Sequence, residues 1–190
     1  MRATRGRRSR GLRLQPGAVS LRAEPTRAVR ILGLDPGSVV TGFGVVDVGP
    51  KGTCYLASGN IRSGRGALAG RLQLIFRHVT ELVDTYAPGE VAIERVFMHA
   101  NPDSALKLGQ ARGAALCAAG HGGAAIHEYT PREVKLALTG TGGAEKEQVQ
   151  HMVKALLGLQ GRLGADAADA LAIALCHSHH LGLGRPGGFR

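Results

Sequence analysis

Four carboxylates stand at positions where strand or helix ends would present them. Asp35 closes the apolar run Arg30-Ile-Leu-Gly-Leu-Asp35 and is followed at once by Pro36-Gly37; Glu94 closes Glu90-Val-Ala-Ile-Glu94; Asp166 and Asp169 open the apolar, alanine-rich stretch 165–179. Pro-Gly forces a sharp turn directly after Asp35. The i, i+3 spacing puts Asp166 and Asp169 on one face of a helix's first turn. Singly, each has an ordinary explanation: an acid in a first helical turn complements the macrodipole, and an Asp before Pro-Gly initiates a turn. Together they call for another account. Acids embedded in apolar segments are costly, and converged carboxylates repel one another. A hard divalent cation resolves both costs. An oxygen-only set without His or Cys at zinc spacing suits Mg²⁺, with Mn²⁺ as its substitute. Two such ions about 4 Å apart can activate water and stabilise a leaving 3′ oxygen in phosphodiester hydrolysis.

The elements that must position these acids are read from periodicity. Residues 30–35, 42–48 and 53–61 alternate as strands separated by Gly- and Pro-containing turns, an antiparallel three-strand meander. Leu68, Leu72, Ile75, Phe76, Val79, Leu82 and Val83 recur at helical spacing over 68–86, and Pro88-Gly89 stops the pattern. Residues 90–94 and 124–129 read as short strands; 103–119, 130–138, 145–157 and 165–179 read as helices. This order predicts an α/β fold with a mixed five-stranded sheet flanked by helices, its parallel neighbours joined by crossovers. Asp35 and Glu94 would then share the carboxyl edge of the sheet, where ligand sites of open α/β sheets gather.

Charge points to a polyanionic partner, but unevenly. Of the formal net charge of +10, residues 1–30 supply +8, from nine Arg against Glu24. Residues 1–29 are expected to be a disordered basic leader without the apolar core of a secretory signal, 30–181 a single nuclease domain, and 182–190 a flexible tail. The leader would at most add nonspecific phosphate contacts. Cys54, Cys117 and Cys176 form no C-x-x-C pair and are odd in number, which suits a reducing cytoplasm. No run reaches the roughly 18 to 20 apolar residues of a bilayer span. The glycines around Gly33 and Gly37 lack the strand-to-helix setting of a dinucleotide fingerprint. His177-Ser-His-His180 is dense in metal-binding side chains, yet it is expected to follow the last helix, exposed and without ligand partners. His151 reads as a surface or packing residue.

ILGLDPGSVVTGFGVV at 31–46, AIERVFM at 92–98, SALKLGQARG at 104–113, AEKEQVQHMV at 144–153 and ADAADALAIA at 165–174 resemble the RuvC family of Holliday-junction resolvases, the crossover junction endodeoxyribonucleases. The resemblance spans roughly 31–180 and implies an RNase H-like fold, a homodimer, Mg²⁺ dependence, paired symmetric nicks in four-way DNA junctions during recombination and repair, and cooperation with the RuvA–RuvB branch-migration motor. Asp35, Glu94, Asp166 and Asp169 fall on the family's acidic positions. Phe97 falls on an aromatic that contacts the opened junction, where a ring can stack on a splayed base. Lys135 and Lys146 resemble DNA-contacting lysines; Lys107, Gln110 and Arg112 are weaker candidates for phosphate contacts. Two rivals remain open at this point, an RNase H-like nuclease acting on RNA and a non-catalytic junction-binding module.

Overall fold

The structure is a computed structural model that describes residues 28–95 and 101–182. The basic leader up to residue 27, the tail from 183 and Phe97 lie outside the described residues.

The meander forms as its alternation dictates: β1 (Val29–Asp35), β2 (Val40–Gly49) and β3 (Gly52–Arg62) are antiparallel neighbours. After α1 (Leu68–Tyr86), β4 (Glu90–Glu94) pairs parallel to β1; after α2 (Pro102–His121), β5 (Ala125–Tyr129) pairs parallel to β4. The sheet order is β3-β2-β1-β4-β5. The chain ends in α3 (Pro131–Thr139), α4 (Lys146–Leu157) and α5 (Ala165–His180). Helix ends follow local chemistry. Asn101 caps α2 by accepting from the Asp103 and Ser104 amides, and Thr130 with Glu133 makes a capping box on α3.

Alternation along each strand divides the core into two. Leu32, Leu34, Val91 and Ile93 face α1 and α2. Ile31 and Ala92 face the opposite side, where α3, α4 and α5 pack. Side chains two residues apart share a face, so Gly33 and Asp35 follow Ile31, and Glu90 and Glu94 flank Ala92, all on the α5 side. Because β1 and β4 run parallel, Asp35 and Glu94 end at the same edge.

One expectation is corrected. The tract His177–His180 does not trail behind the last helix; it forms the last turn of α5. His177 is 1% exposed and Ser178 fully buried, because α5 is covered by the sheet on one side and by α3 and α4 on the other.

Candidate active site

Asp35 closes β1, Glu94 closes β4, and the first turn of α5 carries Asp166 and Asp169 over that edge. The structure therefore brings together all four acids expected from the sequence. Asp35 is largely withdrawn from water, and its carboxyl faces Glu94, Asp169 and Asp166. Burial first, then these neighbouring charges and a proton shared with Glu94, push its pKa up to about 8. Glu94 is also raised, chiefly by burial, with Asp169 adding and the bond from Asp35 opposing. Among the described residues, the cation in the cluster is Lys146, the first residue of α4, whose Nζ donates to Asp169 Oδ2 at 2.6 Å. Its own pKa is raised, mainly through that bond. Four carboxylates against one ammonium leave an excess of negative charge that a cation would relieve.

Three glycines let the helix come this close. A Cβ on Gly42 would lie 2.1 Å from the Asp166 carbonyl oxygen, and one on Gly33 2.1 Å from that of Ala170. At Gly44 it would meet the Leu171 side chain at 2.7 Å. Gly42 is also the cross-strand partner of Asp35. The glycine bed under α5 thus sets the height of Asp166 above Asp35. Sequence reasoning weighed Gly33 only as part of a dinucleotide fingerprint and passed over Gly42 and Gly44, although a row of glycines at alternate strand positions beside an alanine-rich helix was the available signal. It also passed over Asn60, whose Nδ2 donates to Asp166 Oδ2 at 3.2 Å from β3.

Among the described residues, none of the remaining expected side chains contacts the four carboxylates. Arg112 is 17% exposed in its side chain, donates from Nε to the Glu94 carbonyl at 2.9 Å and pairs with Glu128 at 2.7 Å. These contacts brace the end of β4 and leave little of the guanidinium for a phosphate. Lys107 pairs with Asp103 at 2.5 Å on the surface of α2, and Gln110 is exposed one turn further on. Lys135 is half-buried in the middle of α3.

With this strand order and an acidic pair at the shared ends of two parallel strands, the molecule falls into the RNase H-like fold class. Known proteins narrow the class. The family model described as crossover junction endodeoxyribonuclease RuvC matches residues 31–177, and the chain belongs to that family. The crossover junction endodeoxyribonuclease RuvC of Marinobacter nauticus is 60% identical over 149 residues, 78% of this chain and 85% of the relative. Among solved structures, T. thermophilus RuvC in complex with Holliday junction substrate superposes with a TM-score of 0.76 at 36% identity, covering 80% of this chain and 94% of the other. The yeast mitochondrial Holliday junction resolvase Ydc2 has a TM-score of 0.61 over 82% of this chain and 85% of its own, at 11% identity, a likeness of fold alone.

Proposed function

We propose that this chain resolves four-way DNA junctions by metal-dependent hydrolysis of phosphodiester bonds, with Asp35, Glu94, Asp166 and Asp169 as both its catalytic and its metal-holding residues. The observation that carries the reading is their convergence from β1, β4 and α5 onto one edge, with Asp35 driven toward the neutral acid by burial and by the other three. The donor set fits a hard divalent cation, Mg²⁺ or Mn²⁺, because every ligand is a carboxylate oxygen. Two ions per site suit the number of acids. When bound, the metal supplies Lewis acidity and positive charge to the phosphodiester under attack.

The protein's own groups do the positioning. Asn60 holds one oxygen of Asp166, Lys146 holds one of Asp169, and Arg112 fixes the main chain at Glu94. Each is a positioning residue for a carboxylate. Lys146 also stands beside the acids as a partner for a phosphate. Lys107 and Gln110 on α2, and Lys135 on α3, offer further contacts that seat the backbone without reading sequence. Phe97, just beyond Glu94, is placed by sequence to stack on a splayed base.

A four-way junction offers two equivalent strands for cutting, so a twofold homodimer would present one site to each. Among the described residues no helix is long and apolar enough to cross a membrane. A cytoplasmic enzyme working with a RuvA–RuvB motor, its catalytic unit spanning 30–181, completes the reading.

Asp35→Asn tests it. Cleavage of a synthetic junction in Mg²⁺ should fall by a factor on the order of a thousand or more, in keeping with the loss of a catalytic group, while junction affinity by fluorescence anisotropy stays close to wild type. A variant that cleaves like wild type would sink the assignment.

A further inference from the structure

A second group of metal-binding side chains lies on the same face of the sheet, at its other end. Glu90 opens β4, His127 sits on β5 and His177 on α5, and one ligand atom from each lies within 4.8 Å of the others. His127 Nε2 is 2.8 Å from Glu90 Oε2, and His177 Nε2 is 3.5 Å from the same oxygen. Glu90 is four residues from Glu94 along one strand, about 13 Å at strand rise. His177 is eight residues from Asp169 along one helix, about 12 Å. The cluster is therefore separate from the acids at the carboxyl edge.

We propose that Glu90, His127 and His177 bind one zinc-class divalent transition ion, which clamps β4, β5 and α5 together. The observation that points to a ligand is His177. Its ring is 1% exposed, yet its buried Nε2 has no hydrogen-bond partner and faces the Glu90 carboxylate. A buried polar atom without a partner is costly and calls for an explanation. Tetrahedral zinc with bonds of about 2.0–2.2 Å holds its ligand atoms roughly 3.3 Å apart, close to both separations from Glu90. His127, 39% exposed in its side chain, has the freedom to complete the set and gives the ion a route from solvent.

The surroundings have the form of an outer shell. Tyr129 Oη lies 2.7 Å from His177 Nδ1, so the ring is oriented through the nitrogen that a metal would not use. With an ion on Nε2, Nδ1 keeps its proton and donates to Tyr129. The two imidazoles are already stacked, centroids 4.2 Å apart. Two imidazoles and one carboxylate suit zinc or cobalt rather than magnesium. The sequence hid the site because its ligands come from three elements, 37 and 50 positions apart, outside any zinc spacing pattern.

The test is a Co²⁺ titration of the full chain in excess Mg²⁺, which fills the carboxylate cluster without competing for imidazole. Wild type should show one saturable visible absorption band, displaced by Zn²⁺, and Zn²⁺ should raise its melting temperature. His127→Gln should weaken Co²⁺ binding by roughly tenfold to a hundredfold or more and remove the melting shift. Asp35→Asn should keep both. X-ray absorption on the wild-type Zn²⁺ complex should show two imidazole ligands, independently of any variant. Absence of a saturable band, or a band lost in Asp35→Asn and kept in His127→Gln, overturns the proposal and leaves Glu90, His127, His177 and Tyr129 as a hydrogen-bonded staple.

Discussion

At the scale of the residue, Asp35 shows how a site can oppose the fold that carries it. In the unfolded chain this group ionises near pH 3.8, and in the fold only near 8. Between those values the unfolded state has released a proton that the native state still holds, so raising pH favours unfolding. The metal-free protein should therefore lose stability from about pH 4 to about pH 8, by an amount on the order of a few kcal/mol, since a tenfold change in an acid's ionisation constant is worth about 1.4 kcal/mol and the acids titrate together. Asp35→Asn removes that loss. In a chelator, the variant should melt above wild type at pH 8, with the gap closing toward pH 5. A variant melting lower at pH 8 would mean that the fold favours the charged carboxylate, against the account given. Lys146 limits the same repulsion from the other side, by holding Asp169.

At the scale of the element, α5 decides the geometry, because it carries two of the four acids and rests on glycine. Gly42→Ala would drive a methyl group into the Asp166 carbonyl, so the helix must lift or tilt. Overpacking of this kind costs about 1–3 kcal/mol. Cleavage at a temperature where the variant is fully folded should drop as well, because Asp166 moves relative to Asp35. Gly109→Ala, in the exposed interior of α2 with nothing within 4 Å, should instead stabilise by about 0.5–1 kcal/mol. Thermal melting of the two variants separates close approach from backbone freedom; equal behaviour would dismiss the glycine bed. The same contrast marks what the sequence could tell. Apolar spacing over 68–86 and 90–94 gave α1 and β4 at their observed bounds, since α1 buries one face in a single core and β4 is a short apolar run buried on both faces. The strand ends then placed Asp35 and Glu94, and i, i+3 spacing paired Asp166 with Asp169. A glycine carries no hydropathy signal, so the bed under α5 stayed hidden. The register that sets Gly42 opposite Asp35 and lays Asn60 beside Asp166 is a tertiary fact. His177 looked exposed because a run of histidines near the end of a chain is polar, whereas its ring packs against Glu90 of β4 and against His127 and Tyr129 of β5.

At the scale of the whole molecule, the basicity and the chemistry lie in different places. Residues 1–30 hold +8 of the net charge of +10, while the family match begins at residue 31. A chain starting at residue 29 should cleave junctions as the full chain does, and should bind duplex DNA more weakly with a shallower salt dependence, because fewer phosphate contacts release fewer counterions. Loss of junction cleavage on that truncation would move the leader into the catalytic unit. Substrate choice belongs to this scale too, since in the proposed twofold dimer a branch point would meet two sites at once rather than one cluster of acids. The most direct measurement is of nick positions on all four strands of a synthetic four-way junction, with a linear duplex of the same sequence alongside, in Mg²⁺ and in chelator. The account predicts paired, symmetric nicks on two opposed strands of the junction, dependent on Mg²⁺, with the duplex left intact. Equal cutting of junction and duplex, or nicking that persists in chelator, would contradict it.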